Sequence, residues 1–166
     1  MKTQGLIREY QDEDRLAVDG VVLAAWQELS TIMPGWPELV TQLGALTRRA
    51  AESEVIVAEL DGQIVGAVGY VAPNQPKPDI FEPNWPIVRL LSVAPAGRVK
   101  GLGSRLLSEC VTRAVRDGAD CLALHTTPVM AAAQRLYQRE GFEVLRQLPD
   151  RFGVPYIVMV KNLPRV

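Results

Sequence analysis

The sequence predicts a layered α/β domain, with helices interleaved among the strands of one mixed sheet. Two β-branched runs meet at Asp61-Gly62, which marks a hairpin. A third apolar run, Ile87–Val93, leads through a glycine-containing loop into a helical pattern. Strand and helix patterns then alternate to the end of the chain. A length of 166 residues suits one domain, 1–166, large enough to bury a core of its own.

In chain order, residues 5–10 read as a short strand. Asp12, Glu13 and Asp14 supply a cap and first-turn negative charge for a helix running to about Leu29, with Leu16, Val22, Leu23, Trp26 and Leu29 as its apolar stripe. The breakers at 30–37 follow. Pro37 then stands in the first turn of a second helix carrying Leu39, Leu43 and Leu46. Val55–Leu60 and Gln63–Ala72 form the hairpin, because a type I′ turn needs positive φ at both central residues and Asp-Gly tolerates it. Residues 72–86 hold five of the 12 prolines and read as a loop or irregular edge. After Ile87–Val93 and the turn at 94–97, a helix from about Gly101 to Asp117 presents Leu102, Leu106, Cys110 and Ala114 on one face, with Gly118 just past its end. Cys121–His125 is another strand. Thr127 and Pro128 open the next helix and Gly141 ends it. Strands near 142–148 and 156–161 close the chain.

Composition excludes several classes of function. Lys and Arg total 18 against 19 Asp and Glu, for a net charge of −1, without the basic excess of a nucleic-acid binder. No apolar stretch approaches the roughly 20 residues that span a bilayer, and the first residues lack the apolar core of a secretory signal. Two cysteines make no disulfide framework, so a reduced, cytoplasmic setting is expected.

Chemistry concentrates in Leu90–Ser104. A strand there enters a helix through Arg98, Val99, Lys100, Gly101, Leu102 and Gly103. The first turn of a helix offers N–H groups without intrahelical partners at the positive end of the macrodipole. Glycines allow close backbone approach, and Arg98 and Lys100 add positive charge. An anion site follows, most simply for a pyrophosphate. The other reading is a tight turn whose glycines relieve crowding and whose cations are solvated. A dinucleotide fingerprint would need glycine at Leu106, and no Gly-Lys-Ser/Thr ending marks a P-loop.

At these positions the chain resembles the GNAT superfamily of acyl-CoA-dependent N-acetyltransferases. Arg98-Val-Lys-Gly101-Leu-Gly103, preceded by Leu91-Ser92-Val93, resembles its coenzyme A signature. Ala133-Gln-Arg-Leu136-Tyr137 with Gly141-Phe142 resembles a second family segment. The resemblance is strong from Ile87 to Phe142 and weak before Val55. It implies a mixed, mostly antiparallel sheet of about six to seven strands flanked by about four helices. It also implies a gap between the strand ending at Val93 and the one ending near His125, with acetyl-CoA as acyl donor lying in it. Main-chain groups of Leu91 and Val93 would hold the pantetheine, and amides from Arg98 to Ser104 the pyrophosphate. Met130 and Ala133 would line the coenzyme on the next helix. Many members have Asn where this chain has Met130, so a polar contact is missing or comes from Thr126 or Thr127.

Tyr137 matches the family's tyrosine that protonates the leaving thiolate; a phenol with pKa near 10 is protonated at neutral pH. On spacing alone it also fits a core tyrosine. The base that deprotonates the attacking amine is open between Glu82, His125 and a water chain, since Arg89 stands where some relatives have Glu. A cysteine route is poor, because four residues of strand put Cys121 and His125 roughly 13 Å apart. One His and two scattered Cys make no metal site. Trp36, Phe81 and Trp85 either wall an apolar acceptor pocket or pin loops to the core. The function implied is acetyl transfer from acetyl-CoA to a primary amine, on a small molecule or a peptide, by direct attack in a ternary complex. The alternative is a non-catalytic acyl-CoA-binding regulatory domain. Neither nucleic acid nor membrane is an expected partner, and the chain is expected to be a monomer or homodimer.

Overall fold

In the computed structural model, residues 5–164 are described, and the side chains of Val99 and Lys100 lie outside the described residues. The hairpin forms where Asp61-Gly62 allows it. Strand β2 (Glu54–Leu60) pairs antiparallel with β3 (Gln63–Val71), and the two turn residues have φ of 51° and 78°. Strands β1 (Leu6–Glu9) and β4 (Ile87–Val93) extend this sheet on either side. Strands β5 (Cys121–Thr126), β6 (Glu143–Arg151) and β7 (Val154–Asn162) complete seven strands in the order β1-β2-β3-β4-β5-β7-β6. Every pairing is antiparallel except β4 with β5.

That exception organises the molecule. Strands β4 and β5 share the single register pair Ile87↔Ala123 and diverge beyond it. A bulge in β4 bends it at this point: on β3 Val68 alone separates Ala67 from Gly69, while on β4 both Leu90 and Leu91 separate Arg89 from Ser92. Leu90 takes φ of 51°, which is costly for a branched side chain. The Ser92 hydroxyl secures the distortion. It donates to the Leu90 carbonyl at 2.9 Å and accepts from Trp26 Nε1 at 3.0 Å.

Helices cover both faces. Helix α4 (Leu102–Arg116) and helix α5 (Ala131–Arg139) bury Leu102, Leu106, Cys110, Ala114 and Tyr137 against Ile56, Val68, Val88, Leu122 and Leu124. On the other face, α1 (Arg15–Trp26) and the short α2 (Trp36–Leu39) and α3 (Ala45–Arg48) pack Val18, Val22, Leu39, Leu43 and Leu46 on Val55, Val57 and Ala67.

Four local expectations are corrected. Asp12–Asp14 form a 3₁₀ turn before α1, in which Asp14 accepts the Gln11 N–H at 2.8 Å and pairs with Arg8. Of the expected stripe of α1, Val22 and Leu29 are buried, but Leu16 is 80% exposed and Leu23 41%, and Val18 and Val21 face the core instead. The second helix breaks into α2, a 3₁₀ turn and α3, though Leu39, Leu43 and Leu46 are all buried. Thr127 and Pro128 do not open α5. The Thr127 side chain is wholly buried, Met130 N–H bonds the Thr127 carbonyl at 3.0 Å, and the helix starts at Ala131.

Candidate active site

The divergence of β4 from β5 opens a cleft of about 490 Å³. Its walls come from Leu91, Ser92 and Val93 on β4, Gly103 on α4, and Met130, Ala133 and Tyr137 beside or on α5. The end of α1 closes the remaining side with Ala25, Trp26 and Leu29. With Arg98, which also borders the cleft, eight site residues singled out from the sequence therefore meet at one place.

At one end of the cleft stands the N-terminus of α4. Gly101 caps it at φ of 68°, where a Cβ would meet nothing within 4 Å but would strain the backbone. No side chain caps the helix, its first turn has no acidic residue, and the first amide to close on it is Arg105 N–H to the Gly101 carbonyl at 3.2 Å. The amides of Leu102, Gly103 and Ser104 precede that bond, in a helix of 15 residues with a full dipole. Such a terminus accepts a diphosphate without a further cation.

The side chains around it serve the scaffold more than the anion. Arg98 donates from Nε to the Val93 carbonyl at 3.1 Å and from its terminal nitrogens to Glu28 at 2.6 Å and the Ala25 carbonyl at 3.2 Å. It thereby binds the loop to the end of α1, and it still borders the cleft. Leu102 is fully buried core. Ser104 donates its hydroxyl to Glu140 at 2.6 Å, joining α4 to the end of α5. Arg139, not singled out from the sequence, adds an exposed cation to the rim.

Tyr137 faces the cleft from α5, 7% exposed, with its ring edge-on to Phe142 at 5.9 Å. Burial pushes its phenol well above the usual range, so it is protonated at neutral pH. Neither candidate base lines the cleft. Glu82 is exposed in the proline-rich loop. His125 lies on the sheet face away from α4, among Phe81, Tyr156 and Arg151, and burial with two neighbouring arginines lowers its pKa to about 4. An imidazole so depressed is neutral at pH 7 and a weak proton acceptor.

Phe81 is buried, and Trp36 and Trp85 pack against the core clusters, apart from the residues lining the cleft. The tryptophan that does border it is Trp26, hidden in the sequence as one apolar residue of a helical stripe. Cys110 is fully buried, which pushes its thiol up to about 12 and leaves it inert. Among the described residues no three His, Cys, Asp or Glu side chains gather as a metal site, and no helix is long and apolar enough to cross a membrane.

Comparison with known proteins places these features in company. Residues 21–142 match the model of the acetyltransferase (GNAT) family. The chain is 27% identical over 140 residues to a Xenopus tropicalis protein named probable N-acetyltransferase camello, covering 75% of this chain and 61% of that one. It is 33% identical over 95 residues to the uncharacterized N-acetyltransferase YhfO of Bacillus subtilis, covering 55% and 60%. The chain thus spans about three fifths of the length of these two relatives. Among solved structures, one from Corynebacterium glutamicum described as histone acetyltransferase HPA2 and related acetyltransferase superposes with a TM-score of 0.73. That match has 23% identity and covers 100% of both chains, a likeness of fold.

Proposed function

Because the chain belongs to the GNAT acetyltransferase family, we propose that it transfers an acetyl group from acetyl-CoA directly to a primary amine within the cleft between β4 and β5. The observation that carries this reading is the run of the cleft from the uncapped N-terminus of α4 to the phenol of Tyr137. When bound, acetyl-CoA supplies a thioester whose acyl carbon is open to a neutral amine.

The residues divide the work. Amides of Leu102, Gly103 and Ser104 receive the diphosphate at the positive end of α4. The main chain of Leu91 and Val93 runs along the cleft with carbonyl and N–H groups released by the divergence from β5, suited to pantetheine amides. Met130, Ala133 and Leu136 exclude water from the opposite wall. Tyr137 presents a protonated hydroxyl to the departing sulfur. Its raised pKa suits it to stabilise the thiolate as a hydrogen-bond donor, with the proton lost by the amine completing the thiol. The carboxylate on the cleft, Glu28, is paired with Arg98 at 2.6 Å, and among the described residues no imidazole borders it, so water bonded to main-chain carbonyls is the proposed route for the amine's proton.

Thiol release from acetyl-CoA across a panel of primary amines tests this function. Turnover that depends on the amine supports it. Coenzyme binding with no amine-dependent release would make the chain a binding domain instead.

A further inference from the structure

On the sheet face opposite α4 stands a group of basic side chains that the transfer reaction leaves unused. Arg89 and His125 each lie two residues beyond the pair Ile87↔Ala123, so they are neighbours on the same face where the strands part. On the other side of β5, Arg151 brings Nη1 to 3.4 Å from His125 Nδ1, with its guanidinium 5.4 Å from the ring centres of Tyr156 and Phe152. Lys77 lies near enough to Arg89 to feel its charge, but it donates to the carbonyls of Ala72, Gln75 and Pro83.

Among the described residues no carboxylate pairs with Arg89 or Arg151. The carboxylate felt by Arg89 is Glu52, which pairs at 2.7 Å with Arg49. Arg89 Nη1 is buried and, among the described residues, the one buried side-chain nitrogen or oxygen without a hydrogen-bond partner. A buried, unpaired guanidinium N–H costs free energy that an incoming anion would recover. Arg151 likewise meets rings and a neutral imidazole rather than a carboxylate. Arg89 also stands two residues before Leu91, across the bulge, so its backbone lies within roughly 7 Å of the cleft wall.

We propose that the acceptor amine carries a carboxylate, which Arg89 receives with Arg151 as second cation, so that the preferred acceptor is an amino acid rather than a simple alkylamine. This rests on the acyl-transfer reading above, since it takes the acceptor to enter beside β4. A planar guanidinium suits a planar carboxylate through two parallel hydrogen bonds, and the aromatic rings under Arg151 hold its plane.

The test uses matched pairs that differ by one carboxylate, phenylalanine with phenethylamine and leucine with isopentylamine, titrated calorimetrically against the whole protein with CoA present. Thiol release from acetyl-CoA is followed in parallel. The amino acid of a pair should bind at least tenfold more tightly than the amine without a carboxylate. R89M should erase that preference and R89K retain part of it, with CoA affinity unchanged in both. Equal binding within every pair, no binding by either amino acid, or a preference that survives R89M would overturn the proposal. A preference lost in R89M, without thiol release from any amine, would uphold the anion site and defeat the transferase reading.

Discussion

Tyr137 owes its proposed role to position. It lies on the inner face of α5, where burial keeps its hydroxyl protonated and the cleft leaves it facing the space where sulfur would stand. Tyr137→Phe keeps the ring contact with Phe142 and removes only the donor. It should lower kcat roughly 100-fold, the usual scale for losing a positioned acid, while calorimetric affinity for CoA stays within a factor of two or so of wild type. Unchanged turnover would take Tyr137 out of the mechanism. This residue was legible in the sequence because a local motif, Leu136-Tyr137 before Gly141-Phe142, carries it. Arg89 and Trp26 were not. The partnerless Nη1 of Arg89 and the bond from Trp26 to Ser92 depend on strands and helices far apart in the chain, and no spacing reveals them.

At the scale of elements, the bulge in β4 is the decisive feature. It turns the strand from β5, and Ser92 fastens it by bonding Leu90 and Trp26 together. Ser92→Ala leaves the indole N–H without its partner and should cost about 1–2 kcal/mol of stability, read as a lower urea midpoint. CoA affinity should fall with it, because Leu91 within the bulge and Val93 just after it line the cleft. A variant with both quantities unchanged would show that the bulge holds without this pin. The hairpin and α4 were readable because their signals are local: Asp61-Gly62 for the turn, and Leu102, Leu106, Cys110 and Ala114 for the buried stripe. The stripe of α1 was misread because Leu16 and Leu23 face solvent while the valines face the core. The start of α5 was misread because Thr127 is wholly buried and its hydroxyl accepts the Val129 N–H at 3.4 Å in a turn before the helix, which only the packed structure shows.

For the whole molecule, α4 is anchored at its far end and exposed at the near one. Arg113 and Arg116 pair with Glu54, and Tyr70 donates to Asp117 at 2.8 Å. These contacts fix the helix, whose first turn borders the cleft at Gly103. They also shape the response to acid. Arginine partners hold Asp14, Glu54 and Asp117 below the ordinary carboxylate range, so their stabilisation is present above about pH 4 and lost as pH falls below it. His125 acts at higher pH. Its folded pKa of about 4 lies below the unfolded value near 6.5, so the unfolded chain takes up the proton first. Stability is therefore intact above pH 6.5 and falls between about 6.5 and 4, by on the order of 3 kcal/mol. Urea midpoints of wild type should decline through that window, while those of His125→Gln stay flatter. Parallel curves would remove His125 from the account.

The central claim is that the unpartnered amides at the start of α4 hold the diphosphate of the coenzyme. Backbone amide resonances of Leu102, Gly103 and Ser104, followed during titration with CoA and separately with pantetheine, test it most directly. The account predicts large shifts at these three amides with CoA and little change with pantetheine, which lacks the diphosphate. Saturable CoA binding that leaves all three resonances in place would contradict it.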